Sequence, residues 1–391
     1  MANRFKERTL ATIKLLIKVM PAALLSTFLS MLLVRCTGEY AASKILGADN
    51  SDIRSLYYHT IAKVDEDKDS YDKLVLYNPI TNLPNRDRIT QLADELRNVC
   101  KYHPSIIVFD YILADTASYS LSSSFQIVDA IQACLDSGII FIAAEEKYTD
   151  TYLNKAIHNS SFFVKPPYSL KVERGNTATI FNKALDKTSD DDILWMPLVV
   201  SSQLNESQPH PASFYSQRYL SFAPGQIETA FNGHPEDYLR KKISSKIVIF
   251  SSHTAADDIH ELPFPVKTIP DGDIDYSIQI SGAEMLWYSI RDEIYDKWDR
   301  KAPRIVVFII TLLLTCLYCL LRRMCACTSV DSLLTRIKNS FCSFLLFIIV
   351  IALLLILCFF MMSRHIVFPI TVTTVSLVFV NLLEPLWVKE N

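Results

Sequence analysis

Residues 73–144 read KLVLYNPITNLPNRDRITQLADELRNVCKYHPSIIVFDYILADTASYSLSSSFQIVDAIQACLDSGIIFIAA. Three apolar runs within this stretch, Lys73–Tyr77 (KLVLY), Ser105–Tyr111 (SIIVFDY) and Gly138–Ala144 (GIIFIAA), are rich in β-branched and aromatic residues. They predict strands buried on both faces. Between them, residues 86–100 place Ile89, Leu92, Ala93, Leu96, Val99 and Cys100 on one helical face, with Asn85 as N-cap. Residues 122–136 do the same with Ile127, Val128, Ile131, Cys134 and Leu135, and stop before Gly138. The βαβαβ order predicts an α/β domain with a mainly parallel or mixed sheet and flanking helices. Further strands are expected at Ile193–Val200, within Phe214–Phe222 and at Lys246–Ser251 (KIVIFS), the last of them central. A final helix is expected over Tyr276–Asp299, with Ala283, Leu286, Ile290, Ile294 and Trp298 on one stripe, running nearly straight into Ile305. Such a helix would couple the sheet rigidly to the apolar run that begins there.

Working outward, the 391-residue chain is half apolar and 21% charged, with a mean hydropathy of +0.19. The apolar excess lies at the two ends. A net charge of -3 advertises no surface for nucleic acid, so no nucleic-acid partner is expected. Only eight glycines occur, at 38, 47, 138, 175, 225, 233, 272 and 282, none within seven residues of another. That spacing excludes the dinucleotide fingerprint, the P-loop and the usual nucleophile elbow. Of nine cysteines, six lie in the apolar C-terminal third, and the central domain holds only Cys100 and Cys134, with Cys36 at its edge. This is not the pattern of a disulfide framework, and membrane-embedded thiols acting as small hydrophobes are expected.

A helix needs roughly 17–25 apolar residues to cross hydrocarbon. Phe341–Met362 supplies 22 without a charge, Ile305–Leu321 supplies 17, and Ile366–Leu383 supplies 18 with Trp387 beyond it as an interfacial anchor. Val19–Val34 supplies 16, extended toward Leu10 if Lys14 and Lys18 snorkel. Arg35 spoils a signal-peptidase site behind this first run, so it reads as a retained anchor. Arg4, Lys6, Arg8, Lys14 and Lys18 precede that anchor, which places the N-terminus in the cytoplasm and exports the middle of the chain. Lys297, Arg300, Lys301 and Arg304 crowd the outer end of the second span and pull the other way. The expected organisation is a cytoplasmic N-terminus and first span over residues 1–35, an exported domain over 36–301, and three spans over 302–391. Residues 388–391 leave no room for an output module in this stretch.

Candidate chemistry is sparse. Asp110 ends the SIIVFDY strand, where a carboxylate either faces a pocket or caps a neighbouring element. His253, Asp257, Asp258, His260 and Glu261 cluster after the KIVIFS strand, but they match no zinc spacing, and an exposed polar loop is the expected reading. No spacing pairs a nucleophile with a base; neither catalytic residues nor a metal or cofactor is expected. Thr371, Thr373, Thr374, Ser376 and Asn381 in the last span suit helix–helix packing.

The arrangement of one span, an exported α/β domain and three further spans resembles the type-two CHASE domain, a cyclase/histidine-kinase-associated sensory extracellular domain. KLVLYNPI and SIIVFDYILAD are similar to the family's first two strands, with Asp110 on its acidic position. Phe231–Phe250 (FNGHPEDYLRKKISSKIVIF), with Thr254 to Asp258 after it, is similar to a later region of the family pattern, and Pro263, Pro270, Ile278 and Gln279 fit the remainder of that pattern. The chain departs from the family at Asn78, at Ser251–Ser252 and at Gln279, where an acidic residue, a glycine and a histidine are usual. The resemblance implies a sensor in the inner membrane, with Asp110, Asp257, Asp258 and Gln279 as ligand-binding residues for an unknown extracytoplasmic ligand. Output is then expected through a separate cytoplasmic effector, met by Arg322, Arg323, Arg336 and Lys338 in the loop Arg322–Ser340. Those four also suit topology or contacts to anionic lipid. The lipid bilayer and a second copy of the chain are the other expected partners. An assembly subunit and an exported hydrolase or metal-binding protein are the competing classes.

Overall fold

The computed structural model describes residues 2–37, 57, 73–79, 85–111, 121–144, 163–164, 170–173, 177–180, 200–201, 203–204, 218–219, 227–251, 259–268, 275–295, 297–325 and 333–387. The chain divides into two compact units, one of Tyr58–Asp299 and one joining Met1–Tyr57 to Arg300–Asn391. In chain order the elements are α1 (Ala2–Thr37), β1 (Leu74–Tyr77), α2 (Asn85–Cys100), β2 (Ile106–Phe109), α3 (Leu121–Asp136), β3 (Ile140–Ala144) and β4 (Phe163–Val164). Next come β5 (Leu170–Glu173), β6 (Thr177–Ile180), β7 (Arg218–Tyr219), β8 (Thr229–Ala230), α4 (Glu236–Ile243), β9 (Ile247–Phe250), β10 (Ile259–Thr268) and β11 (Asp275–Ser281). The last are α5 (Gly282–Ile294), β12 (Asp299–Lys301), α6 (Arg304–Cys325), α7 (Leu333–Met362), β13 (Ile366–Val367) and α8 (Ile370–Trp387).

The first unit is built on a six-stranded, all-parallel sheet in the order β4-β3-β2-β9-β1-β8. The steps β1 to β2, β2 to β3 and β8 to β9 all run toward β4, and α2, α3 and α4 cover the same face, so the three crossovers share one hand. Val75, Tyr77, Ile107, Phe109, Phe141, Ala143, Val248 and Phe250 meet those helices. The alternate residues Leu74, Leu76, Ile106, Val108, Ile142, Ile247 and Ile249 are equally buried on the opposite face, and α5 packs against β1. Burial of each such side chain contributes about 1.5–3 kcal/mol, and two covered faces explain why the strands read as unbroken apolar runs.

Three expectations for this unit change. Cys100 and Cys134 are joined by a disulfide, with a Cα–Cα distance of 5.7 Å, so the pair is a staple between the ends of α2 and α3. The helix expected over Tyr276–Asp299 spans only Gly282–Ile294. Tyr276, Ile278 and Ile280 alternate with Ser277, Gln279 and Ser281, and this period of two places them in β11, paired antiparallel with β10. Ser281 and Glu284 form a capping box that starts α5, while Pro303 keeps the preceding extended segment out of α6. No continuous helix leads from the sheet into Ile305. Val200 is helical, not extended, and the rest of the strand expected at Ile193–Val200 lies outside the described residues.

The second unit is a helical bundle. Thr12–Cys36, Arg304–Met324 and Asn339–Met362 are long and apolar enough to cross a membrane, the pattern of a multi-pass membrane protein. In α8 the apolar stretch Ile370–Leu383 is shorter, because Ile366 and Val367 form a strand and the helix starts only after Pro369. Polarity is distributed inside out. Leu313, Ile356 and Phe360 are more than 60% exposed, while Thr311, Thr315, Thr371, Thr373 and Ser376 are buried. Such a surface suits lipid and not water.

Hydroxyls hold the bundle interior together. Thr311 Oγ1 meets Thr373 Oγ1 at 2.9 Å, Thr315 Oγ1 meets Ser376 Oγ at 3.0 Å, and Tyr318 Oη donates to Asn381 Oδ1 at 2.9 Å. Residue numbers rise together in these pairs, so α6 and α8 are parallel. Val19 and Ala22 cluster with Leu377 and Val380, whereas Val34 clusters with Ile370 and Val372, so α1 runs antiparallel to α8. Ser376 Oγ also lies 3.3 Å from Thr27 Oγ1, which makes it the hydroxyl common to α1, α6 and α8. Ser376→Ala should lower bundle stability by about 0.6–1.7 kcal/mol in a denaturing-detergent titration of the full chain. Val378→Ala, on an exposed face of the same helix, should have the smaller effect; the reverse order would contradict this packing.

Candidate ligand-binding edge of the parallel sheet

Apart from the Tyr77 hydroxyl, strands β1, β9 and β2 are apolar, and a polar residue stands one position beyond each carboxyl end: Asn78 after β1, Ser251 after β9 and Asp110 after β2. Parallel sheets present ligand-binding groups at this edge. The ladder continues through the row. Asn78 N–H donates to Ala230 O at 2.9 Å, Ser251 N–H to Tyr77 O at 3.1 Å, and Asp110 N–H to Phe250 O at 3.0 Å. Buried Ser251 donates its hydroxyl to Asp110 Oδ2 at 2.9 Å and fixes the half-buried carboxylate. Beneath the row lies an aromatic layer: Phe250 stacks on Tyr77 and on Phe109 with centroids 5.5 Å apart, and half-buried Tyr111 meets Phe250 edge-on at 6.0 Å.

This arrangement presents an oriented carboxylate at the strand ends, suited to accepting hydrogen bonds from a ligand's amine or hydroxyl groups. Ser251 bonds directly to this carboxylate. Among the described residues no group of three His, Cys, Asp or Glu is placed to hold a metal ion.

The sequence-derived residues distribute unevenly. Asp110 lies in the row. Gln279 is exposed on β11 opposite Glu261, in a separate two-stranded sheet, and the structure does not place it in the row. Asp257 and Asp258 lie outside the described residues. The expected loop Arg322–Ser340 is largely helical: Arg322 and Arg323 form the last turns of α6, and Arg336 and Lys338 fall in the first turns of α7. Arg322 also donates from Nη1 to Asn381 Oδ1 at 2.7 Å, which ties it into the bundle.

Sequence reasoning missed a second polar cluster on the helix-covered face. Glu95, buried on α2, accepts from Tyr77 Oη and from Asn232 Nδ2 at 2.9 Å, and Asn98 Nδ2 donates to Asn232 Oδ1 at 3.0 Å. Glu95 sits among Asp94, Arg97 and Asn98 on a helix of mixed polarity, so nothing local in the sequence marks it as buried. Burial, reinforced by the hydrogen bond to the Glu95 carboxylate, pushes the Tyr77 phenol above its ordinary range near 10. The folded chain therefore keeps a proton that the unfolded chain releases above about pH 10. The stability linked to this proton is complete below that pH and falls as pH rises beyond it. Tyr77→Phe should cost about 1–2 kcal/mol at neutral pH and flatten the alkaline decline of stability. An unchanged alkaline slope would contradict the assignment.

No family model, curated protein or solved structure matches the chain.

Proposed function

We propose that the chain is a membrane-anchored extracytoplasmic sensor that passes its signal to a separate effector protein. The observation that carries the reading is the Cys100–Cys134 disulfide. Disulfides persist in oxidising compartments and are rare in the cytosol. Cys36, Cys316, Cys319, Cys342 and Cys358, all in the helical unit, form no disulfide. Charge supports the same orientation. Antiparallel α1 and parallel α6 and α8 gather Arg4, Lys6, Arg8, Lys14 and Lys18 at the end of the bundle that carries Arg322, Arg323, Arg336 and Lys338. Under the positive-inside rule that end is cytoplasmic. In this reading α8 is a fourth crossing, admitted by its buried partners despite its short apolar length.

The resemblance to type-two CHASE domains supplies the sensing role. Ligand is taken at the edge bearing Asp110, with Asp257, Asp258 and Gln279 contributed by the resemblance alone. Ligand binding shifts an existing equilibrium of the α/β unit. Transmission runs through β12, whose backbone is paired in parallel with β13. Displacing that strand moves the first turns of α6 and α8 together, and the basic end of the bundle presents the change to the effector.

Thermal unfolding of the full chain against a small-molecule library tests the reading. A ligand should raise the midpoint as its concentration exceeds Kd, and Asp110→Ala should abolish that shift. A library with no stabilising compound, together with a partner that co-purifies in fixed stoichiometry under every condition, would overturn sensing in favour of an assembly subunit.

A further inference from the structure

The end of the bundle where α6 and α8 begin carries cations that the topology of the chain does not explain. β12 and β13 lie side by side: Arg300 N–H donates to His365 O at 2.7 Å, and Ala302 N–H donates to Val367 O at 2.9 Å. This pairing gathers Arg300 on β12, Arg304 at the start of α6, and Arg364 and His365 immediately before β13. Arg304 and Arg364 flank the apolar stretches Arg304–Met324 and Asn339–Met362, so they stand where the chain leaves hydrocarbon. Both are exposed, and neither side chain has a hydrogen bond or ion pair among the described residues. The acidic residue on β12, Asp299, is fully buried, whereas Arg304 and Arg364 are exposed.

A topological role does not account for them. The larger basic cluster lies at the opposite end, so these cations oppose the orientation that cluster sets. A solvated face would account for one arginine, but the strand pair collects the charges at a single depth. The chemistry found at that depth is the phosphate of lipid headgroups, which a guanidinium engages through two parallel hydrogen bonds.

We propose that Arg304 and Arg364 form a basic collar that binds the phosphate of anionic phospholipid headgroups at the end of the bundle where α6 and α8 begin. The collar requires only the bundle and its strand pair, and it stands whether or not the α/β unit is a sensor.

Native mass spectrometry of the full chain released from nanodiscs tests the proposal. Wild type should retain phosphatidylglycerol in preference to phosphatidylcholine, a comparison that needs no substitution. The double variant Arg304→Gln/Arg364→Gln should retain phosphatidylglycerol roughly tenfold less, in line with the attraction of a basic side chain to an anionic membrane surface. Arg304→Lys/Arg364→Lys should fall between, because the charge remains and the planar fork is lost. Equal retention of the two lipids by wild type would overturn the proposal. An equal loss in Arg336→Gln/Lys338→Gln would also overturn it, by showing unspecific attraction. Displacement of the lipid by millimolar inorganic phosphate would overturn the lipid as the source of the phosphate.

Discussion

A hydroxyl buried among apolar helices is costly without a partner, because nothing in hydrocarbon replaces the water it gave up. Ser376 meets that demand for three helices at once, lying between Thr315 of α6 and Thr27 of α1. The pairings Thr311–Thr373 and Tyr318–Asn381 extend the seam above and below it. A hydroxyl pair contributes little by itself, yet each would cost more if one partner were removed and the other left buried. The seam therefore matches one register of α6 against α8, in which all three pairs form. With the register set, β12 and β13 lie side by side, and both helices start at the same level.

In the α/β unit, whose sheet is covered on both faces, two polar groups are held by partners: buried Glu95 between Tyr77 and Asn232, and half-buried Asp110 beside Ser251. The first cluster stabilises the packing of α2 on β1. The second lies at the strand ends, where an oriented carboxylate can also serve a ligand. The two units thus use buried polar pairing for opposite purposes, one to join helices whose outer faces are apolar and one to interrupt an apolar core at its rim.

Much of this is legible in the sequence wherever burial imposes a simple pattern. KLVLY, SIIVFDY and KIVIFS read as strands because two covered faces demand unbroken apolar runs. Residues 275–281 mislead because a helical stripe can be extended back through their period-two alternation, past the Ser281–Glu284 capping box that marks the true helix start. Ile366 and Val367 join an apolar run whose length says nothing about whether it is helix or strand; Pro369 holds the boundary. The disulfide joins residues 34 apart and the Thr311–Thr373 pair spans 62, separations that periodicity does not sense. Asp110 stands out because a strand end is a local feature, whereas its partner Ser251 comes from a strand 141 residues away.

The sensor reading depends on the α/β unit folding outside the reducing cytoplasm, and the state of one bond reports it most directly. Cells producing the full chain can be quenched in acid, denatured and treated with a thiol-reactive maleimide, with or without prior reduction, and Cys100 and Cys134 followed by peptide mass spectrometry. Export predicts that both remain unlabelled until a reductant is added, while Cys316 and Cys358 are labelled in either case. Full labelling of Cys100 and Cys134 without reductant would contradict it.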